Sequence, residues 1–450
     1  MNASLQFKDK YKEDNLLRFY NTKISHKASP GIDRVSRTIF ENKIEENLKI
    51  IGRKVTNGSY RFIPYKEKLI SKGRDKFPRV ISIPSIRDKV TIGVLNEILT
   101  SAFSNQIKNE LTQNIVDNVK KEINSNNYNY FIKIDIKGFY DNIDHNILLK
   151  NVSKKIKKIE IVDLIKKAIQ NPTIPLGTKK NDTLNIRGVP QGISISNILA
   201  NIFLLDVDKK FSNKQNIRYF RYVDDILILC DKKGKNRIFN SIKRDLCDKL
   251  FLSLNDKKDE GDISKGFDYL GYKYTSLNKD KSIYGFTVKE KSIKKLEGSL
   301  IKIFCEYKNT NNSEIFLWKI NLRITGFILE KNKYGWLFFY SQIDDVPILY
   351  HLDWFVSEMC KTFKVNPALQ NNIKKFVRAY FEIVKKRAKS QYIPRTENIP
   401  PSEQRRVLIN VYKFKKETID SLTDEQILKM FKGKLYIAVK ELEQDVQSFS

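Results

Sequence analysis

The sequence predicts an α+β protein, in which short strands that end in carboxylates are set among helical segments. Three observations carry this reading. Short apolar runs rich in β-branched and aromatic residues stop at acidic side chains, as in Tyr130-Phe131-Ile132-Lys133-Ile134-Asp135. Stretches on either side place apolar residues at helical spacing. The chain has 450 residues, 41% of them hydrophobic and 11% aromatic, enough to bury a core in two to three structural units and too much for a disordered basic tail.

Taken in order, Phe40, Ile44, Leu48 and Ile51 recur at helical spacing behind Ser29-Pro30-Gly31, so the chain opens as helix. From Tyr60 to Pro84, β-branched and aromatic residues flank Lys72-Gly73-Arg74-Asp75, which predicts a β-hairpin with a basic tip. Alone, that tip reads equally as a solvated turn. Helical spacing returns at Val90 to Phe103 through Val94, Leu95, Ile98 and Leu99, and again at Ile193 to Phe211. Arg218 to Cys230 predicts two strands around Val223-Asp224-Asp225. Beyond about Lys289 the chain reads as helix, broken by Tyr334-Gly335-Trp336-Leu337-Phe338-Phe339-Tyr340, whose rings suit a core or the stacking of bases. Asn371 to Lys389 predicts the clearest single helix. Its Ile373, Val377, Tyr380, Val384 and Ala388 form an apolar stripe, and Lys374, Arg378, Lys385 and Lys389 form a basic one, either solvated or laid along phosphates.

The charge balance, 83 Lys+Arg against 52 Asp+Glu for a net +31, calls for an acidic partner, nucleic acid first; the bland alternative is a Lys-rich bias with solvated charge. Cys230, Cys247, Cys305 and Cys360 form no CxxC pair, so neither a disulfide framework nor a zinc ribbon is expected, and a reducing cytoplasm fits. No run of about 20 apolar residues occurs, so neither a membrane span nor a secretory leader is expected. His145 reads as a structural histidine with its hydrogen bonds satisfied.

Asp135, Asp224 and Asp225 are the candidate catalytic carboxylates. Adjacent aspartates repel, and keeping both ionised in one site requires a cation. Hard oxygen donors without nearby His or Cys select Mg²⁺, or Mn²⁺. Three such carboxylates suit a two-metal site for in-line phosphoryl displacement, which polymerases and nucleases both use.

The order and spacing of Asp135-Ile136-Lys137-Gly138-Phe139-Tyr140-Asp141-Asn142-Ile143-Asp144-His145, Pro190-Gln191-Gly192, Tyr222-Val223-Asp224-Asp225 and Phe267-Asp268-Tyr269-Leu270-Gly271 resemble the palm motifs of reverse transcriptases. The resemblance implies that Asp135 and Asp224 bridge two ions, that Asp225 completes the site, and that the backbone at Ile136 cups the triphosphate. It implies that Tyr140 is a steric gate against the ribose 2′-OH, that Gln191 supports the incoming deoxynucleoside triphosphate, and that Phe267 to Gly271 forms the primer grip. The hairpin from Lys72 to Pro84 is similar to the fingers hairpin of group II intron and retron enzymes, which makes Arg79, and Lys72 or Lys76, phosphate ligands; Lys258 matches a lysine that protonates pyrophosphate. The sequence departs from the common pattern at Ser196-Asn197, where many relatives have Ser-Pro.

The implied architecture is a right-hand polymerase with fingers (1–126 and 146–185), an antiparallel palm sheet (127–145 and 186–288), an α-helical thumb (289–365) and a helical C-terminal extension (366–450). Arg323-Ile324-Thr325-Gly326, the aromatic stretch from Tyr334 to Tyr340, His351-Leu352-Asp353-Trp354 and Tyr392-Ile393-Pro394 look like the later motifs of bacterial antiviral-defence reverse transcriptases, which include the abortive-infection enzymes. That resemblance implies a partner structured non-coding RNA, a DNA product and a cytoplasmic location; a homo-oligomer or partner protein stays open. Two other readings stand beside it: an untemplated, protein-primed DNA polymerase, and a maturase acting mainly by binding RNA.

Overall fold

The computed structural model describes residues 3–25, 28–71, 77–108, 110–178, 183–255, 259–278, 280, 283–330, 332–386 and 390–446. Lys72, Lys76, Lys258 and Lys389 lie outside the described residues, as do His26 and Ala388. The chain forms two compact units, Met1–Glu110 with Asn127–Gly261, and Leu111–Asn126 with Asp262–Ser450.

In the first unit the expected opening helix is divided. Phe40 belongs to a short helix, Arg37–Glu41, whose first turn is capped by the Ser36 hydroxyl accepting from Ile39 N–H. Ile44, Leu48 and Ile51 lie on a second helix, Ile44–Thr56, which carries Glu45 and Glu46 in its first turn and Arg53 and Lys54 in its last, the charge order that suits the helix dipole. The predicted hairpin is present as β1 (Tyr65–Ile70) and β2 (Arg79–Ile83), antiparallel with Ile70 opposite Arg79. A helix at Ile86–Phe103 follows, started by the Ser85 hydroxyl accepting from Asp88 N–H.

The sheet that carries the carboxylates is centred on β3 (Tyr130–Lys137). Away from it, β4 (Thr173–Ile174) runs parallel to β1, with the Ser82 and Thr173 hydroxyls 2.7 Å apart. Then β5 (Ile217–Tyr222), β6 (Asp225–Cys230) and β7 (Ser253–Leu254) give the order β5-β6-β3-β7, with β8 (Asp259–Asp262) also pairing with β3. All the registered pairs of this sheet are antiparallel.

Its two faces follow from the period of two along a strand. Tyr130, Ile132, Ile134 and Ile136 join Ile226, Ile228 and the apolar side of the helix Ser196–Ser212, including Leu199, Ile202 and Phe203, in one core. Each such isoleucine contributes roughly 1.5–3 kcal/mol by leaving water. Lys133, Asp135 and Lys137 fall on the opposite face, where Asp135 and Lys137 are exposed. The Ser196–Ser212 helix starts without proline because the Ser196 hydroxyl donates to the carbonyls of Pro190 and Ile193, at 2.7 and 2.8 Å, and fixes its entry.

The second unit begins its own sheet with β9 (Phe267–Tyr269), β10 (Tyr272–Ser276) and β11 (Tyr284–Val288), all antiparallel. Leu270 and Gly271, at φ +47° and +86°, make the tight two-residue turn between the first two of these strands. Helices Glu290–Thr310 and Ser313–Thr325 follow. The aromatic stretch is core: Trp336, Leu337, Phe338 and Tyr340 are buried, and Tyr272 packs between Phe339 and Tyr340 at ring distances of 6.1 and 5.1 Å. A separate apolar cluster joins Leu322, Phe327, Leu408, Phe431 and Leu435.

The single helix expected from Asn371 to Lys389 is not what forms. The α-helix is Phe376–Phe381, continued by one wider turn, Glu382–Lys386. The reason is where the preceding backbone donors go. Lys374 N–H donates to Asn321 Oδ1 at 2.7 Å and Lys375 N–H to the Tyr392 hydroxyl at 2.7 Å, while the Asp353 carboxylate accepts from Phe376 N–H at 2.7 Å and Val377 N–H at 3.3 Å. Side chains far along the chain thereby cap the helix at Phe376 and leave Asn371 to Lys375 outside it.

Candidate active site

Asp135 stands where β3 changes partners. Its ladder with β6 runs from Tyr130 opposite Cys230 to Asp135 opposite Asp225. Ile136 and Lys137 then pair on the other edge with Leu254 and Ser253. Directly opposed residues share a face, with Cβ atoms about 4.5–5.5 Å apart, so the register itself brings Asp135 and Asp225 together away from the core. The Ile136 side chain is buried, and its backbone is the first past the ladder with β6.

Asp225 also pairs with Tyr222, so Val223 and Asp224 form a two-residue loop. Val223 has φ +55°, in the region where glycine is at ease and a β-branched residue is strained by about 1–3 kcal/mol. Arg221 secures the loop. Its Nη1 donates to the Val223 carbonyl at 2.8 Å, its Nε and Nη2 donate to the two Asp208 oxygens at 2.7 and 2.5 Å, and its Nη2 reaches Asn201 Oδ1 at 3.1 Å. Tyr219 donates to the same Asp208 at 2.9 Å. Asp208 and Asn201 lie on the Ser196–Ser212 helix, so the acidic loop is bolted to the helix beneath the sheet.

Tyr140 is half-buried beside the buried Phe139, with ring centres 5.7 Å apart. Its phenol is pushed up to about 12, first by burial and then by the charges of Asp224 and Tyr222, with Arg221 and Arg79 acting the other way. The hydroxyl therefore senses the acidic loop and the hairpin's Arg79 together. Gln191 lies next to them: its carbonyl accepts from Ser82 N–H at 2.7 Å, and its Nε2 is 3.5 Å from Asp141 Oδ1. Gly192, at φ +102°, lets the hairpin approach, since a Cβ there would stand 2.7 Å from Ile81 Cγ2. Val189 N–H donates to the Tyr140 carbonyl and Gly188 N–H to the Ile143 carbonyl, both at 2.8 Å, and the Gly188 carbonyl lies 2.6 Å from His145 Nε2. His145 is buried and held through Nε2, but its Nδ1 has no hydrogen-bond partner among the described residues, so the expected full satisfaction of its ring is only half met. These bonds join the Asp135, Pro190 and hairpin segments, distant in sequence, into one site.

Asn255, Arg221 and Asp208 were not singled out from sequence. The Asn255 side chain donates to Asp135 Oδ2 at 2.5 Å, and its backbone N–H donates to the Asp135 carbonyl at 3.0 Å. It lies inside the segment Leu254 to Lys258, one residue from the strand, and Arg221 directly precedes the acidic turn; those positions were the available signals. The described basic residues of the predicted stripe lie in the second unit. There Tyr392 is covered by Lys374 Nζ at 5.0 Å and the Arg378 guanidinium at 4.4 Å, Lys374 Nζ also donates to the Tyr392 carbonyl at 2.6 Å, and Lys385 sits 5.1 Å over Phe381. Burial and the neighbouring Arg378 lower the Lys374 pKa.

Among the described residues, no three His, Cys, Asp or Glu side chains already stand together as a formed ion site. The opposed Asp135 and Asp225 carboxylates nevertheless offer oxygen donors, a hard set that fits Mg²⁺ or Mn²⁺. Like-charged carboxylates hold apart until a cation neutralises them. Among the described residues, no helix is long and apolar enough to cross a membrane.

An antiparallel sheet with carboxylates opposed on its open face, a strained acidic hairpin loop and an adjacent half-buried tyrosine suits the class of metal-assisted phosphoryl-transfer enzymes. Residues 70–274 match the family described as Reverse transcriptase (RNA-dependent DNA polymerase). The chain is similar to Protein YkfC of Escherichia coli (strain K12), 24% identical over 354 residues that cover 67% of this chain and 87% of that one. It is also similar to the Group II intron-encoded protein LtrA of Lactococcus lactis subsp. cremoris, 29% identical over 173 residues that cover 37% of this chain and 28% of LtrA. Among solved structures, telomerase from Candida albicans in complex with a TWJ fragment of telomeric RNA aligns at 14% identity and a TM-score of 0.42, covering 86% of this chain and 69% of that one.

Proposed function

We propose that the chain is an RNA-directed DNA polymerase that copies part of a partner non-coding RNA into DNA in the bacterial cytoplasm as an antiphage defence. The observation that carries the polymerase reading is the convergence on one sheet face of Asp135 and Asp225, with Asp224 and Arg79 felt by the half-buried Tyr140. Asp135, Asp224 and Asp225 would hold two Mg²⁺ ions, which supply charge neutralisation to the attacking and leaving oxygens. Arg79 offers a guanidinium to the triphosphate, Tyr140 fills the space of a ribose 2′-OH, and Gln191 braces the nucleotide from a turn locked to the hairpin. The division into fingers, palm, thumb and extension belongs to the same proposal.

The partner RNA is supported by the net charge of +31, because counterion release from phosphates rewards such a surface. In this reading Arg378 and Lys385 contribute from the second unit. The defence role rests on the later motifs from Arg323 to Pro394. Similarity to an intron-encoded protein favours one second reading, a maturase that acts by binding RNA.

The test is to purify the protein with its accompanying RNA and supply Mg²⁺ and labelled deoxynucleotides one at a time, without added primer or template. DNA whose base choice follows the RNA, and which is lost after RNase pretreatment, is the expected result. Product that survives RNase and shifts on proteolysis would mean protein-primed, untemplated synthesis. RNA binding with no DNA product would leave the maturase reading standing. Infection of cells with and without an intact Asp224 tests the defence role, for which equal phage yields would be fatal.

A further inference from the structure

We infer that Asn255 is a positioning residue for the Asp135 carboxylate, holding one of its oxygens so that the side chain takes a single orientation on the face it shares with Asp225. The inference rests on the reading of Asp135 as an ion-holding carboxylate and goes beyond it by naming what aims that group.

The sheet register supplies the first part of the argument. On one edge of β3, Asp135 is opposite Asp225. On the other edge, Lys137 is opposite Ser253 and Ile136 opposite Leu254, so the next step of the antiparallel count sets Asp135 opposite Asn255. The Asn255 N–H to Asp135 carbonyl bond of 3.0 Å is that step. Opposed residues share a face. Asp225 on β6, Asp135 on β3 and Asn255, the residue after β7, therefore form one row, with two carboxylates and a terminal amide.

The chemistry of the row supplies the second part. The last torsion of an aspartate side chain, between sp³ and sp² carbons, is broad and has no sharp staggered wells. An Asp135 carboxylate left to itself on an exposed face would sample many orientations. The Asn255 amide donates to Oδ2 at 2.5 Å, and a bond from a neutral donor to a charged acceptor is among the stronger kinds. It fixes the torsion and occupies one oxygen without adding charge. A lysine there would compete with a cation for the carboxylate, and a carboxylate would repel it; an amide does neither. Outer groups that orient an ion's ligands in this way typically change affinity or activity by 10- to 100-fold when removed.

The experiment measures Mn²⁺ binding to the purified full chain by the paramagnetic resonance signal of the free ion, together with deoxynucleotide incorporation on a primed homopolymer RNA. The proteins are wild type, Asn255→Ala, Asn255→Leu, Asn255→His and Asp135→Asn, each checked by thermal unfolding. Asn255→Leu keeps the branched shape and heavy-atom count without a donor, in case the alanine variant folds poorly. Asn255→His keeps a donor, since its Nδ1 stands as many bonds from the backbone as the native amide nitrogen.

The expected result is Mn²⁺ affinity roughly 10- to 100-fold weaker for Asn255→Ala and Asn255→Leu, with primer-template binding unchanged and most of the affinity recovered by Asn255→His. Wild-type Mn²⁺ affinity in the alanine or leucine variant, or a loss of incorporation that tracks primer-template binding or unfolding and not Mn²⁺, would overturn the inference. Asp135→Asn separates the two levels. If it binds Mn²⁺ as wild type does, the reading of the site has failed and the inference with it; if it loses Mn²⁺ while Asn255→Ala does not, only the inference has failed.

Discussion

Replacing Arg221 with methionine probes how the acidic loop is held in place. Arg221 is almost enclosed, with 8% of its side chain exposed, and Asp208 keeps 24%. The substitution removes four charge-assisted bonds, two to the Asp208 carboxylate, one to the Val223 carbonyl and one to Asn201 Oδ1. Breaking a buried pair from one side costs about 3–5 kcal/mol because the remaining charge is left without compensation. The partial exposure of Asp208 discounts this to roughly 2–4 kcal/mol, since water reaches its carboxylate. For a unit of about 250 residues, 1 kcal/mol moves the midpoint by about 2–4 °C, so the unfolding temperature should fall by about 4–16 °C. Activity should fall further than stability. Without the bond to its carbonyl, Val223 is free to leave φ +55° and carry Asp224 with it, and a displacement near 1 Å at a reacting centre costs about 10²-fold. Arg221→Lys should rescue little, because one ammonium cannot reproduce the planar fork. Asp208→Leu combined with Arg221→Met should regain part of the stability, by removing the stranded charge, and none of the activity. The assays are calorimetry and single-nucleotide incorporation. An Arg221→Met protein with wild-type midpoint and wild-type rate would refute the clamp.

Three further outcomes are expected. Asp224→Asn should abolish DNA synthesis while leaving RNA retention on a filter unchanged; a variant that still polymerises would sink the two-ion reading. Tyr140→Val should admit ribonucleotides, seen as a fall in the preference for deoxynucleotides in competition assays, and because the phenol is held near 12 wild-type selectivity should stay constant from pH 7 to 10. Asp88 is buried, accepts from the Tyr60 hydroxyl at 2.8 Å and has its pKa raised by burial to about 6. A folded pKa above the unfolded value of about 3.9 means that its favourable contribution is complete below pH 4 and is lost as pH rises through 6, by about 3 kcal/mol in all. Asp88→Asn should therefore be more stable than wild type at pH 7.5 and no more stable at pH 4, which unfolding at the two pH values would check.

Much of the site could be read from sequence because its signals are local. The alternation in Tyr130 to Lys137 fixes which residues face the core, the two-residue spacing of Tyr222 to Asp225 fixes a hairpin loop, and both put carboxylates on the open face. The Ser196–Ser212 helix follows from the helical spacing over Ile193 to Phe211, and the β1 and β2 hairpin from β-branched and aromatic residues flanking a turn. The helix expected from Asn371 to Lys389 failed because periodicity records only what one face could bury. Its start is set by Asp353, Asn321 and Tyr392, whose demand for backbone donors no local pattern shows.

The sequence by itself determined which groups are available: three carboxylates, a tyrosine five residues after the first of them and a basic chain suited to phosphates. Only the tertiary structure decided how those groups are held. Asn255 reaches Asp135 across 120 residues, and Arg221 reaches back 13 residues to Asp208. Such contacts depend on which strand edges meet, and strand pairing is a choice among distant segments of similar local propensity, settled when the whole core packs.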